Sequence, residues 1–161
     1  MASIDLKHAV MTVSDGDDNS LEIRLGNGNL TYTETKDRIY TLNRGVLDDV
    51  RDGDETPVDV SLDALWEFLT AKSGDPPTIE DCFKKRGGAA DWVSSDTDDP
   101  CKPYAVDITI LYTPPCGGIY KERIVLRNFR YEKLNHDAKN AQIQVSGKCN
   151  ITEAVVTREA P

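Results

Sequence analysis

The sequence predicts a mainly β fold, an antiparallel sandwich or barrel-like domain with one flanking helix. Short segments of alternating apolar and polar residues recur along the chain, and turn-forming residues separate them. The capping pattern of a helix is clearest at residues 78–86. The 161 residues correspond to about one domain, and no repeat, linker or low-complexity tract divides them. We therefore predict a single domain over residues 1–161.

The N-terminal segment alternates loosely, with apolar side chains at Ile4, Leu6 and Val10. A polar run at residues 14–20 then interrupts the alternation. We predict that residues 1–20 form an arm that contacts a partner through the three apolar side chains, with an ordinary edge strand as the alternative.

The next segment combines alternation with a turn signal. Residues 21–25 alternate, Gly26-Asn27-Gly28-Asn29 follows, and residues 30–32 resume the alternation. Because Asn-Gly tolerates the positive φ values of tight turns, this pattern predicts a β-hairpin. Residues 38–42 predict a further strand.

Residues 45–57 are predicted to form an extended acidic loop. Its stretch from Leu47 to Pro57 carries five carboxylates and one arginine, and it contains no histidine, cysteine or nucleophile. Long loops of this kind usually serve function or assembly, so we expect a surface that meets another surface. The candidate interface residues are Asp48, Asp49, Arg51, Asp52, Asp54 and Glu55.

The strand after this loop has one apolar and one polar side. Val58, Val60 and Leu62 alternate with the polar residues Asp59, Ser61 and Asp63. We predict that the apolar set packs inside the subunit and that the polar set stays in contact with water. The following apolar run, which contains Trp66 and Phe68, is predicted to belong to the core.

The predicted helix begins after Thr78, which can act as its N-cap. Acidic residues occupy its first turn and basic residues its last turn, as the helix dipole favours. Gly87 or Gly88 is predicted to end it.

The second half of the chain predicts more strands. Residues 104–112 and 120–131 alternate, with a bend expected near Asn128, and residues 141–156 hold at least one further strand after a turn at 135–140. About seven strands are expected in all.

A search for catalytic chemistry finds weak candidates. His8 and His136 lie in polar surroundings and are interpreted as surface residues, and no nucleophile elbow, phosphate loop or zinc-protease motif occurs. We predict no catalytic residue, no cofactor and a protein that is not an enzyme.

A search for metal ligands ends similarly. Asp15, Asp17 and Asn19 match the first, third and fifth positions of a calcium loop, but Ser20 and Gly26 stand where a glycine and a bidentate glutamate are needed. The spacing of the four cysteines contains no C-x-x-C pair, so no metal site is predicted and the cysteines are expected to be reduced, mostly buried thiols.

The charge balance bears on possible partners. There are 19 basic and 28 acidic residues, a formal charge of −9, which disfavours binding to phosphate backbones but suits an acidic wall that nucleic acid passes without sticking. No apolar stretch reaches the roughly 20 residues of a membrane span, and no signal peptide is recognised, so we expect synthesis in the cytoplasm and no membrane partner.

The chain resembles the major tail tube protein of long-tailed (siphovirus-type) bacteriophages. The resembling stretches are residues 23–69, which begin IRLGNGNLTYTETKDRIY, residues 77–96 (PTIEDCFKKRGGAADWVSSD), residues 106–118 (VDITILYTPPCGG) and residues 129–154. The resemblance covers most of the chain and depends on the order of strands, loop and helix.

The resemblance implies a structural virion protein of the phage tail, made in the host cytoplasm. Such subunits form hexameric rings that stack into a hollow tube around the tape-measure protein, and terminator or tip proteins meet the ends of the tube. DNA would pass through the lumen without specific binding. It further implies that the acidic loop and the N-terminal arm make contacts between subunits or rings, and that Asp59, Ser61 and Asp63 face lumen or solvent.

Two alternatives stay open. One is an inner-tube protein of a contractile injection system, which belongs to the same structural class. The other is a non-enzymatic β-sandwich binding module for carbohydrate or a host surface, for which Trp66 and Trp92 are the candidate exposed aromatics.

Overall fold

The computed structural model describes residues 8–23, 28–65, 77–96, 101–114 and 120–159. Within these ranges the chain is mainly antiparallel β, which confirms the predicted fold class. The helical elements there are a short α-helix, α1 (Ile79–Lys84), and a 3-10 turn (Gly87–Ala89). The strands are β1 (Ala9–Ser14), β2 (Ser20–Ile23), β3 (Leu30–Thr33), β4 (Arg38–Asn43), β5 (Val46–Asp52), β6 (Val58–Leu65), β7 (Val106–Tyr112), β8 (Lys121–Asp137), β9 (Gln142–Cys149) and β10 (Val155–Glu159).

Eight of these strands form one open sheet in the order β2-β1-β7-β8-β9-β6-β3, with β10 also paired to β8. The long strand β8 holds this arrangement together. Its first part pairs with β7 and β10, and its second part, from Phe129 onward, pairs with β9. Asn128 between the two parts has a φ of 60°, so the predicted bend near this residue is confirmed.

The core lies on one side of this sheet. Val58, Val60 and Leu62 are buried while Asp59 and Ser61 are exposed, as the alternation along β6 predicts. The same cluster contains Val13 and Ile108 from the other half of the sheet. One continuous apolar face therefore spans both halves, which fits a sandwich-like fold.

The edges of the curved sheet approach each other. The backbone N–H of Ala154, just before β10, donates a hydrogen bond to Glu34, just after β3, at 2.9 Å. Burial, together with the carboxylates of Glu34 and Glu122, raises the pKa of Tyr32. Because Glu34 follows β3 and Ala154 precedes β10, the hydrogen bond between them requires the sheet to curve.

The helix forms where the sequence predicts it. Thr78 is the N-cap and makes a reciprocal capping box with Asp81, which satisfies two backbone N–H groups at the start of α1. Its end differs from the prediction, because Lys85 in the left-handed conformation, rather than Gly87 or Gly88, forms the C-cap. Phe83 packs edge-on against Phe129 of β8, with ring centroids 5.5 Å apart, and this contact fixes the helix on the sheet.

The hairpin predicted around Gly26-Asn27-Gly28-Asn29 is wrong. β2 pairs with β1 and β3 pairs with β6, so the two strands lie at opposite ends of the sheet order. Pairing with distant strands buries Ile23 and Leu30 in the common core, which a local hairpin exposed on both faces could not do.

The acidic loop predicted at residues 45–57 is wrong over most of its length, because β5 spans Val46–Asp52 and pairs with β4. Arg44 and Gly45 both have positive φ values, of 53° and 79°, as a two-residue hairpin turn of type I′ requires. The chain therefore makes its hairpin here.

The N-terminal arm also differs from the prediction in its described part. β1 is an internal strand, paired with β2 on one side and β7 on the other, so it is neither an arm nor an edge strand. Val10 belongs to β1, whereas Ile4 and Leu6 lie outside the described residues, as do Trp66 and Phe68.

Two of the cysteines meet the expectation of buried thiols. Cys82 and Cys149 are both 0% exposed, and burial raises the pKa of each thiol to about 12. In the described part of the chain, no helical segment has the length and apolar character that crossing a bilayer requires.

Candidate assembly surfaces

The β4–β5 hairpin forms a two-stranded sheet of its own. Every residue of both strands is exposed to solvent. An isolated two-stranded hairpin is only marginally stable in water, because it lacks a third strand or a helix to cover a face. This element is therefore the part of the described chain that most needs a partner.

One face of the hairpin is apolar. The register places Tyr40 opposite Val50 and Leu42 opposite Leu47. A register shift between Thr41 and Leu42 keeps these four side chains on one face, the hairpin apolar face. They are 61%, 50%, 59% and 70% exposed in that order, an unusually dense group of exposed hydrophobic residues.

The predicted interface residues lie along this hairpin and its exit. Arg38 and Asp52 pair at the base of the hairpin, with 2.7 Å between Arg38 Nη1 and Asp52 Oδ1. The backbone N–H of Asp54 donates to Asp37 Oδ2 at 3.3 Å and anchors the exit of the hairpin. The remaining predicted residues, Asp48, Asp49, Arg51 and Glu55, are exposed.

A second apolar surface lies on the outward side of the sheet. Because Met11 and Ile110 point into the core, their neighbours Val10 and Leu111 point out, and these two are paired. The adjoining row brings in the outward Val125 and Val155. The Val10 face comprises Val10, Thr12, Thr109, Leu111, Arg123, Val125, Val155 and Thr157.

The centre of the Val10 face is mostly aliphatic, and charged residues surround it, since Thr12 pairs with Glu22 and Lys121 pairs with Glu159. Of its eight residues, seven are Val, Leu or Thr. The exception is Arg123, whose Nε lies 2.7 Å from Glu159 Oε1. Val10 and Val155 remain 43% and 40% exposed.

The outward side of the other half of the sheet is mostly polar, with Leu65 at the end of β6 as an exposed apolar residue. In its central row Thr31 pairs with Ser61 and Ser61 with Ser146, and the row below pairs Thr33 with Asp59. The Ser61 face comprises Thr31, Thr33, Asp59, Ser61, Asp63, Arg130, Lys133, Gln144, Ser146 and Lys148. A shallow pocket lies on it, and the ion pair between Lys148 Nζ and Asp59 Oδ1, 3.7 Å apart, lies beside that pocket. Such a surface is suited to water.

Glu80 is surrounded by Lys84, Arg86 and His136, and His136 is one of the two histidines considered for catalysis. Burial disfavours the charge of Glu80, but hydrogen bonds from Lys84 and His136 outweigh burial and lower the pKa of Glu80. His136 Nε2 lies 3.3 Å from Glu80 Oε2, and Arg86 Nη2 lies 3.1 Å from Oε1. A carboxylate held ionised among basic groups fastens α1 to β8, and this is a structural role.

Within the described ranges, no group of three or more His, Cys, Asp or Glu side chains is arranged to hold a metal ion. Trp92, one of the two aromatics considered for a carbohydrate site, is 4% exposed and belongs to the core.

Sequence reasoning identified the hairpin region but missed its apolar face. A partial signal was present, because Gly45 follows the predicted strand at 38–42 and Val46 and Leu47 come directly after it. The surrounding aspartates masked it, because they favour a loop. The Val10 face could not be found from sequence, since it depends on the neighbours of β1, β7, β8 and β10.

No protein-family model matches the sequence, and no curated protein matches it. Solved structures do match the fold. The sheath/tube terminator of an extracellular contractile injection system (PVC, extended state) is similar over 98% of this chain and 98% of its own, with a TM-score of 0.55 and 13% identity.

The tube-terminating cap of the anti-feeding prophage (AFP) is similar over 100% of this chain and 93% of its own, with a TM-score of 0.50 and 12% identity. At such low identity the likeness establishes the fold alone. The chain thus shares its fold with a sheath/tube terminator of a contractile injection system and with a tube-terminating cap.

Proposed function

We propose that this protein is a structural subunit of a phage-tail-like tube, which assembles into rings that stack around a hollow lumen. The observation that carries the proposal is the β4–β5 hairpin. Its apolar face, built from Tyr40, Leu42, Leu47 and Val50, has no cover within the described chain. Burial of apolar surface at roughly 25 cal/mol per Å² gives a strong reason for this face to associate.

The polar residues of the hairpin fit the same role. Asp48 lies beside the apolar face, Asp49 and Arg51 lie on the opposite face of the hairpin, and Asp54 and Glu55 lie at its exit. We assign to these five residues polar contacts with neighbouring subunits. Rim charges contribute register and specificity more than affinity. Asp52 is instead held by Arg38 and supports the hairpin itself.

The two outward faces of the sheet suit different surroundings. The Ser61 face, with Asp59, Ser61 and Asp63, is polar enough to remain wet, and we assign it to the lumen. The formal charge of −9 suits a channel to which DNA in transit does not adhere. In a long-tailed phage the lumen would also hold the tape-measure protein during assembly, and terminator or tip proteins would meet the ends of the tube.

A terminator or cap is the second candidate. The fold likeness to a sheath/tube terminator and to a tube-terminating cap extends over 98% and 100% of this chain. A terminator makes one ring at the tube end, whereas a tube protein stacks ring upon ring.

Negative-stain electron microscopy of the purified protein, over a rising concentration series, tests the proposal. Tubes or stacked rings support the tube subunit, and single rings that never stack support the terminator. Monodisperse particles of subunit size at every concentration contradict both candidates and favour a monomeric binding module.

A further inference from the structure

We propose that the hairpin apolar face of one copy docks on the Val10 face of a second copy. This inference rests on the proposed function and names the surface that receives the hairpin. It commits to another copy of this chain as the occupant, because the chain carries two complementary surfaces and leaves both exposed.

The apolar parts of the two surfaces match. The hairpin offers Tyr40, Leu42, Leu47 and Val50. The Val10 face offers an array of Val, Leu and Thr side chains on four paired strands. Aliphatic and aromatic side chains lose no hydrogen bond when they cover such a surface, so burial there is favourable.

The Ser61 face is a poor receptor by the same reasoning. Covering it with Leu42 and Leu47 would remove charged side chains such as Asp59 and Lys148 from water without new partners. Desolvation of charges costs more than the apolar contact returns. The contrast between the two outward faces therefore selects the Val10 face.

Charge selects the same surface. The outward residues of β8 beside Val125 are Lys121, Arg123 and Arg127, since Ile124 and Leu126 point toward the core. Glu159 lies beside Arg123, with 2.7 Å between Arg123 Nε and Glu159 Oε1, and directly opposite Lys121, while Arg127 adds a positive charge at the other end of the row. On the hairpin, the register shift places Asp48 beside Leu47, whereas Asp49 pairs with Thr41 on the opposite face. The Asp48 carboxylate thus meets a basic residue of this row at the rim of the docked hairpin.

The contact is heterologous, because the donor and receptor surfaces differ. Each copy that offers its hairpin still has a free Val10 face, so the contacts propagate from copy to copy. They close into a ring or continue as a stack, according to the rotation that each contact imposes.

Two variants test the docking. The hairpin variant carries Leu42→Ser and Leu47→Ser, and the face variant carries Val10→Lys and Val155→Lys. All four residues are exposed, so we expect both variants to fold, which circular dichroism and thermal unfolding check. A matched control, Thr33→Lys and Ser61→Lys, adds the same two positive charges at exposed positions of the Ser61 face.

Each docking variant alone should require about tenfold or more higher concentration to assemble, while the control should retain the wild-type pairwise contact. The decisive sample is a 1:1 mixture of the two variants. One intact hairpin and one intact Val10 face are then available per pair, so native mass spectrometry should show heterodimers that do not grow further.

The outcomes separate this inference from the function on which it rests. A face variant that assembles like the wild type, or a mixture without heterodimers, overturns the docking and leaves the tube proposal standing. A wild-type protein that stays monomeric throughout, with no heterodimer in the mixture, overturns both.

Discussion

Asp15 Oδ2 accepts a hydrogen bond from the backbone N–H of Val93 at 2.9 Å, across 78 residues of sequence. The same carboxylate accepts from the backbone N–H groups of Asp17 and Asn19 and from the Asn19 amide. One side chain therefore joins the turn after β1 to the segment that follows the 3-10 turn. Asp15 matches the first ligand position of a calcium loop, but in the structure its carboxylate accepts these hydrogen bonds and stabilises the fold.

Replacing Asp15 with alanine should destabilise the fold by about 2 to 3 kcal/mol, because the backbone N–H groups of Asp17, Asn19 and Val93 all lose their acceptor. Urea unfolding followed by circular dichroism measures the change. Asp17→Ala is the matched control, since the exposed Asp17 side chain is two positions away and should change stability by less than about 0.5 kcal/mol. Equal losses in the two variants would count against the role given to Asp15.

Acid should unfold the protein through its buried carboxylates. Burial opposes ionisation of Asp15 and Glu80, but hydrogen bonds lower the pKa of each below its ordinary value, 3.8 and 4.5 respectively. A lowered pKa in the folded state means that the unfolded chain binds more protons. The stabilisation is therefore complete above about pH 4.5 and declines as the pH falls through the folded pKa values. Urea midpoints measured from pH 7 to pH 3 should fall at the acid end, and more shallowly in Asp15→Ala. An acid limb of unchanged steepness in that variant would contradict the assignment.

Two glycines should respond differently to alanine. A Cβ on Gly147 would meet the backbone of Arg130 and Tyr131 on the adjacent strand, so Gly147→Ala should cost about 2 to 3 kcal/mol through overpacking. A Cβ on Gly45, at φ 79°, meets nothing within 4 Å, and Gly45→Ala should cost only about 1 kcal/mol, confined to the hairpin turn. Thermal unfolding reports the first change, and amide hydrogen exchange of β4 and β5 reports the second. A stable Gly147→Ala protein would show that β8 and β9 can separate at this point.

Removing the rim charges of the hairpin should weaken assembly and its dependence on salt. Asp48→Asn with Asp49→Asn leaves the hairpin apolar face intact but deletes two charges, so assembly should need more protein at low salt and converge with the wild type at high salt. Light scattering against concentration at two ionic strengths makes the measurement. Asp18→Asn, an exposed carboxylate away from the hairpin, is the control. Identical scattering curves for all three proteins would show that Asp48 and Asp49 do not contribute to the interface.

The parts of the fold that sequence predicts correctly depend on local information. The alternation along β6 needs only residues 58–65, and the helix start needs only Thr78 and Asp81. The prediction of strand pairing failed where the partner strand is distant in sequence. The Asn-Gly signal near residue 27 is a local preference, while β2 and β3 bury more apolar surface by pairing with β1 and β6. Tertiary packing overrides turn propensity in such cases.

The candidate surfaces were hidden from sequence for a different reason. Both faces of β5 are exposed, so apolar and acidic residues mix without the inward and outward alternation that identifies a strand. The buried carboxylates were missed likewise, since Asp15 and Asp96 are stabilised by Val93 and Arg130, far along the chain. Only the folded backbone brings those donors together.

The central claim is that this chain assembles with itself through the β4–β5 hairpin. Native mass spectrometry of the wild-type protein and of the Leu42→Ser, Leu47→Ser variant, at matched concentrations, tests it most directly. The account predicts ring-sized wild-type species at multiples of the 17.8 kDa subunit mass, with six copies proposed, and a monomeric variant of unchanged thermal stability. A wild-type protein that remains monomeric at every concentration, or a variant that forms the same rings, would contradict it.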